Sequence, residues 1–308
     1  MKTAKEVWNR FWFEKQDAAP LGIFRIAFAI LLIVNALSML PDLGTWFGTH
    51  SMVPLELRLR ALGLPGFSLL NWFPDQDLGV RVVFAVYAVA CVALLLGVAS
   101  RAAAAVLYLT LLSFHSSNSL IINSGDFLMQ LAALYLIFVD SGAAFSLRNP
   151  NPLKHRVFVN PMGWRLIQIQ TSVVYVATWI QKMNGPDWLN GTATYYTARI
   201  EAYWKYKMPF VFEHLFLIKL STWGTLAVEL ALGTLIWFPR LRLWVILAGV
   251  FLHLGIEFTM HIHLFEWMMV VLLMSFLKPE DLAFVATAWK RARRGKPGPK
   301  RARHTSAS

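Results

Sequence analysis

Long apolar runs recur along the chain, near residues 21–40, 79–98, 101–117, 124–140, 163–183, 222–238, 241–260 and 262–277. A helix needs about 20 such residues to cross the hydrocarbon of a bilayer. In that solvent every backbone N–H and C=O must be paired within the protein, so a spanning segment of this kind folds as a helix. The chain has 308 residues, 57% hydrophobic and 15% charged, against roughly a quarter charged in soluble domains. The expected fold class is all-α: a polytopic transmembrane helical bundle of about eight spans, with the third, fourth and last of them short. Residues 1–20 read as an interfacial amphipathic helix, because Val7, Trp8, Phe11, Trp12 and Phe13 interleave with Lys5, Arg10 and Lys15. Residues 21–280 form the membrane domain, with a short helical piece expected near 55–62. Residues 281–308 read as a basic, disordered cytoplasmic tail, broken by Gly and Pro. No removable signal peptide is evident, and the single cysteine, Cys91, has no intrachain partner for a disulfide.

Charge orients the bundle. With the N-terminus inside and eight spans, twenty of the 29 Lys and Arg fall on the cytoplasmic side, among them Arg101, Arg148, Lys154, Arg156, Arg165, Arg240 and Arg242. Eight fall outside: Arg58, Arg60, Arg81, Lys182, Arg199, Lys205, Lys207 and Lys219. Arg25 lies within the first span. The asymmetry favours both termini inside. The formal net charge of +12 is concentrated in the tail, where it suits anionic lipid headgroups rather than nucleic acid. The expected partners are therefore the lipid bilayer and those headgroups, with no nucleic acid.

The polar residues within apolar runs gather toward the outer face: His115, Asn118, Asn123, Asp126, Lys182, His253, Glu257, His261 and Glu266, with Glu229 nearer mid-span. Ionisable groups at membrane depth mark a functional site or a partnered pair. Lys182 ends the apolar helix pattern, and Asn184, Gly185 and Pro186 stop it. One reading is an anchor whose amine snorkels to headgroups. The other is an amine held in apolar surroundings, where desolvation favours the neutral form that acts as a base. In HLGIEFTMHIHLFEW, His253, Glu257 and His261 recur every four residues on one helix face. They are weak metal candidates, since no fourth ligand is near in sequence, and a hydrogen-bonded network with Glu257 setting the histidine tautomers is preferred. Asn118 and Asp126 bracket a hairpin, either as turn former and N-cap acid or as lining of the same outer cavity. Arg199 and Trp204, with Tyr195, Tyr196 and Tyr203, suit an interfacial belt or a flat ligand held by stacking and cation–π contact. No phosphate-binding glycine loop, HExxH or GxSxG is present.

The stretches WNRFWFEKQDAAPLGIFRIAFA, FHSSNSLIINSGDFLMQLAALYLIF, WIQKMNGPDWLNGTATYYTARIEAYW, TLAVEL and FLHLGIEFTM together resemble the HTTM domain. This membrane domain is shared by bacterial proteins and vitamin K-dependent gamma-glutamyl carboxylase, and the resemblance covers roughly residues 7–280. It implies that Lys182 stands at the position of the carboxylase base, with one extra residue before Asp187-Trp188. Arg199 and Trp204 resemble an Arg and a Trp that follow there at a different spacing. The carboxylase has Asn-His where this chain has Asn118-Ser119, which sets the full reaction apart. Its active site faces the lumen, equivalent to the outer side assigned here. It continues into a luminal region that helps bind protein substrates, and this sequence ends in the basic tail. The resemblance implies a lysine base acting on a hydroquinone, reduced vitamin K or a related quinol, in epoxidation with or without carboxylation. It also implies a quinone-like small-molecule partner and a bacterial-type plasma membrane with the site facing outward. The alternative is a non-enzymatic protein that binds or transports a small molecule or metal ion, or serves as a membrane partner subunit.

Overall fold

The computed structural model describes residues 3–54, 57, 67–206 and 213–282. The basic tail after residue 282, most of the piece near 55–62, and Arg58, Arg60 and Lys207 lie outside the described residues. The described residues are 73% helical. Nine helices of ten residues or more appear among the described residues: α1 Ala4–Phe13, α2 Ala19–Met39, α3 Gln76–Leu96, α4 Ser100–Ser117, α5 Ser124–Leu136, α6 Met162–Met183, α7 Leu215–Gly233, α8 Arg242–Thr259 and α9 Phe265–Met274. A two-stranded antiparallel pair, β1 Gln16–Asp17 with β2 Phe158–Val159, ties the N-terminal segment to the connection before α6.

Helix limits follow local chemistry. α1 starts on a capping box in which the Thr3 hydroxyl accepts from Glu6 N and Glu6 accepts from Thr3 N. Asp17 accepts from Ala19 N at 2.9 Å and Pro20 opens α2, where its missing N–H costs nothing. Gly97 ends α3 at φ 70°, a left-handed conformation that glycine adopts without a Cβ penalty. α6 ends at Asn184, and Pro186 begins a short helix, Pro186–Asn190.

Each of the eight apolar runs overlaps one of the helices α2 to α9, though α7 begins seven residues before the run read at 222–238. Among the described residues, four segments are long and apolar enough to cross a membrane: Ala19–Phe47, α3, α7 and α8. The other four fall short for separate reasons. α5 has 13 residues and α9 has 10, lengths of about 20 and 15 Å at 1.5 Å per residue, against a hydrocarbon core of about 30 Å. α4 and α6 are longer but carry Arg101 and His115, and Arg165, Gln168 and Lys182. The outward face of the bundle is apolar. Phe251 is 81% exposed, Phe216 74% and Trp244 73%, which suits a hydrocarbon solvent and not water.

A single core runs through the bundle, built on Phe24, Phe28 and Leu32 of α2, Tyr87 and Leu94 of α3, Leu107 and Phe114 of α4, Met129 of α5, Ile167 of α6 and Met268 and Leu272 of α9. Tyr87 donates to Leu32 O (3.2 Å) and Asn35 Oδ1 (3.1 Å). Trp164 and Gln168 of α6 both donate to Ser275 O, at 2.5 and 2.7 Å, fixing α6 to the end of α9. α1 docks here too, since Arg165 donates to Phe11 O and lies 4.7 Å from its ring centroid. Lys278, just beyond α9, sits near Arg165 and Arg242. Burial, reinforced by those two cations, pushes its ammonium down to about 8.

Candidate functional site

α6 and α7 pack side by side and antiparallel. Gly233, at the end of α7, lies against Val176 and Ser172. Thr222, near its start, accepts from Thr194 N beyond the end of α6. This register puts Glu229 one turn inside the end of α6. Side chains on a helix lean toward its N-terminus, so Lys182 reaches back into the bundle and its Nζ pairs with Glu229 Oε1. The Lys182 side chain is 23% exposed and that of Glu229 10%. The second carboxylate oxygen of Glu229 is buried without a hydrogen-bond partner. Trp188, on the short helix that follows α6, covers the amine, with its ring centroid 4.8 Å from Nζ. An interfacial anchor would send its amine outward to headgroups; this one turns inward to a buried carboxylate.

Two turns before Lys182, about 10 Å along α6, Tyr175 begins a buried relay. Its hydroxyl is 2.7 Å from His253 Nε2, and His253 Nδ1 is 2.5 Å from Glu266 Oε2. All three side chains are buried. Tyr175 and Lys182 both project from α6, so the relay and the lysine pair are built on one helix. The carboxylate partner of His253 is therefore Glu266 of α9, not Glu257. The fourfold spacing puts Glu257 near His253 along α8, but Glu257 is half-buried and pairs with Lys205 at 2.6 Å.

The other candidates from the sequence separate into two groups. Arg199, Trp204 and Glu257 lie at the end of α8. Trp204 bridges Met260 and its indole donates to Ala198 O at 2.5 Å, while the Arg199 guanidinium stacks 3.6 Å from the Tyr195 centroid. Asn118 and Asp126 shape the α4–α5 hairpin. Asn118 donates to Trp46 O (3.1 Å) and accepts from Leu120 N (3.3 Å), and Asp126 closes a capping box on Asn123 N (2.8 Å). The Asp126 bond is that of a helix cap, while Asn118 makes one turn bond and one tie to a segment 72 residues away. His115 is held by Gln130 at 2.7 Å. His261 is exposed, apart from buried His253. Among the described residues no group of three or more His, Cys, Asp or Glu is placed to hold a metal.

Three residues of this region, Glu229, Tyr175 and Glu266, were not singled out as site residues by sequence reasoning. A carboxylate inside an apolar run, as in TLAVEL and LFEW, is a signal for the two acids. For Tyr175 the only hint is its place two turns from Lys182 on one face.

The fold and this charged region define an all-α membrane protein with a partnered lysine at depth. The HTTM domain model matches residues 13–280, so the chain belongs to the HTTM family, the domain of vitamin K-dependent carboxylase-like proteins. A Bacillus subtilis (strain 168) protein named Uncharacterized protein YitO is similar, 26% identical over 128 residues, covering 39% of this chain and 40% of that protein. The match thus spans under half the length of that relative. No solved structure matches.

Proposed function

We propose that this HTTM protein is a carboxylase-like membrane enzyme in which Lys182 is the base that takes a proton from a lipid-soluble hydroquinone. The observation that carries this reading is the inward turn of Lys182 onto Glu229. An amine is a base only when neutral. Beside a buried carboxylate it reaches that form without any change in the net charge of the pair: the proton passes from Nζ to Oε1, leaving an amine and a carboxylic acid. Lys182 then receives the substrate proton, Glu229 stores the proton given up, and Trp188 presents a flat face at the amine.

The donor set fits a quinol of the vitamin K type: an amine to take the hydroxyl proton, an unpartnered Glu229 Oε2 to accept a hydrogen bond, and an indole for stacking. When bound, such a quinol supplies an acidic hydroxyl and, once ionised, reactivity toward oxygen that ends in an epoxide, with or without carboxylation of a second substrate. Arg199 and Trp204 form a second aromatic–cation cluster suited to the quinone-like molecule. The same reading takes the bundle as eight spans in a bacterial-type plasma membrane, both termini inside and the site outside, supported by the Lys and Arg asymmetry. α1 lies in the interface and the basic tail contacts anionic headgroups.

The test is epoxide formation by the purified protein in nanodiscs, supplied with a reduced naphthoquinone and oxygen. The expected result is turnover by the native protein and a loss of about 100-fold or more in Lys182→Ala, the scale of a lost general base. No native turnover, or a Lys182→Ala variant as active as wild type, overturns the reading.

A further inference from the structure

The opposite end of the bundle, where Gly97–Ser100 joins α3 to α4, carries two clefts that share Arg148. The first, about 420 Å³, is lined by Gly97, Ser100, Arg101, Asp140 and Arg148. The second, about 700 Å³, continues past Arg148 to Lys154 and His155. Arg148 is matched by Asp140, 2.7 Å away. That leaves Arg101 and Lys154 without an acid among the lining residues.

Three further observations point to an anion. Ala99 and Ser100, where α4 begins, line the first cleft, and no side chain caps that helix. An open helix N-terminus favours negative charge. Behind the wall, Arg25 is 0% exposed and packs against Gly97. Its Nη2 donates to Phe145 O at 2.5 Å, but Nε and Nη1 have no hydrogen-bond partner. A buried guanidinium with unpaired donors is expensive; Asp140 of the cleft wall offsets part of its charge, and a bound anion would add to that. Leu147 and Leu153, next in sequence to Arg148 and Lys154, are 69% and 62% exposed. Cations flanked by exposed leucines suit a phosphate that carries acyl chains better than a free ion.

We propose that this paired cleft binds the phosphate of an anionic phospholipid headgroup. The site is separate from the Lys182 region and from the basic tail, and it stands whether or not the protein is an enzyme. The experiment uses the full chain in mild detergent. Binding of phosphatidylglycerol, phosphatidylcholine and inorganic phosphate is measured by native mass spectrometry and by thermal shift. The variants are the double Arg101→Gln, Lys154→Gln and the charge-keeping double Arg101→Lys, Lys154→Arg. Both positions are exposed, so neither change disturbs the core. With the tail intact in all three proteins, phosphatidylglycerol affinity should fall on the order of 30-fold in the Gln variant, the sum for two surface cations. The Lys/Arg swap should restore it, and phosphatidylcholine should be unaffected. Displacement of phosphatidylglycerol by millimolar phosphate would show that the cleft takes phosphate as such, from either source; no displacement would commit it to the lipid. A Gln variant that binds phosphatidylglycerol as wild type does, or a wild type that prefers phosphatidylcholine, overturns the proposal.

Discussion

Removing one member of the Lys182–Glu229 pair should cost far more than removing both. Deleting one partner of a fully buried ion pair costs about 3–5 kcal/mol, because the other charge is left uncompensated. Here Glu229 is 10% exposed but Lys182 is 23% exposed. Water can reach a stranded ammonium more readily than a stranded carboxylate, and that access lowers the cost. We therefore expect about 2 kcal/mol for Glu229→Leu and about 3 kcal/mol for Lys182→Met. The first figure is about a 30-fold change in the unfolding constant. The double variant, two apolar side chains facing each other, should lie within about 1 kcal/mol of wild type. The coupling from the cycle is then on the order of 4–6 kcal/mol. The assay is reversible unfolding in mixed micelles, with all four proteins under one condition. Additive single effects, with coupling below about 0.5 kcal/mol, would refute the inward pair.

Other consequences follow from the same geometry. Tyr175→Phe removes one hydrogen bond of a buried relay and strands His253 Nε2; a loss of about 1–3 kcal/mol is expected by the same unfolding assay. Gly97→Ala puts a Cβ at φ 70° against Ser146 Cβ (2.5 Å) and the Arg25 guanidinium, so a destabilisation of about 2 kcal/mol or more should appear as a lower Tm. Lys278 has a folded-state pKa of about 8 against an ordinary 10.5. Between these values the unfolded chain binds more protons than the folded one, so this residue's contribution to stability rises as pH climbs from 8 to 10.5. Comparing Tm at pH 7 and pH 10 for wild type and Lys278→Met should show the wild type gaining on the variant; parallel behaviour would contradict the burial of this amine.

The helices were legible because a bilayer imposes apolar runs of a set length, and the runs near 79–98 and 241–260 became α3 and α8 almost as read. The span count was less legible. Apolar content alone does not show that α5 stops after Leu136 or that α9 has ten residues. Lys182 stood out as a charge at the end of an apolar helix, but its partner lies 47 residues away and depends on which helix packs beside α6. The same limit explains His253. Fourfold spacing pointed to Glu257, whereas packing sets Glu266 against the ring, from a helix entered through Leu264 at φ 52°. Asn118 and Asp126 carried both a cap reading and a cavity reading in sequence; Asp126 closes a capping box, while Asn118 also ties the hairpin to Trp46, 72 residues away. Arg25 appeared only as a cation in the first span; its unpaired donors beside the Gly97 wall emerge from the fold.

The most direct test of Lys182 as the base is chemical rescue. Lys182→Ala is assayed for epoxide formation from a reduced naphthoquinone and oxygen, with small primary amines of graded basicity added. The account predicts activity that rises with amine concentration and increases with amine basicity at constant free-base concentration, while wild type stays indifferent to the additives. A Lys182→Ala variant that turns over at the wild-type rate without amine, or one that no amine restores while native turnover is intact, would contradict it.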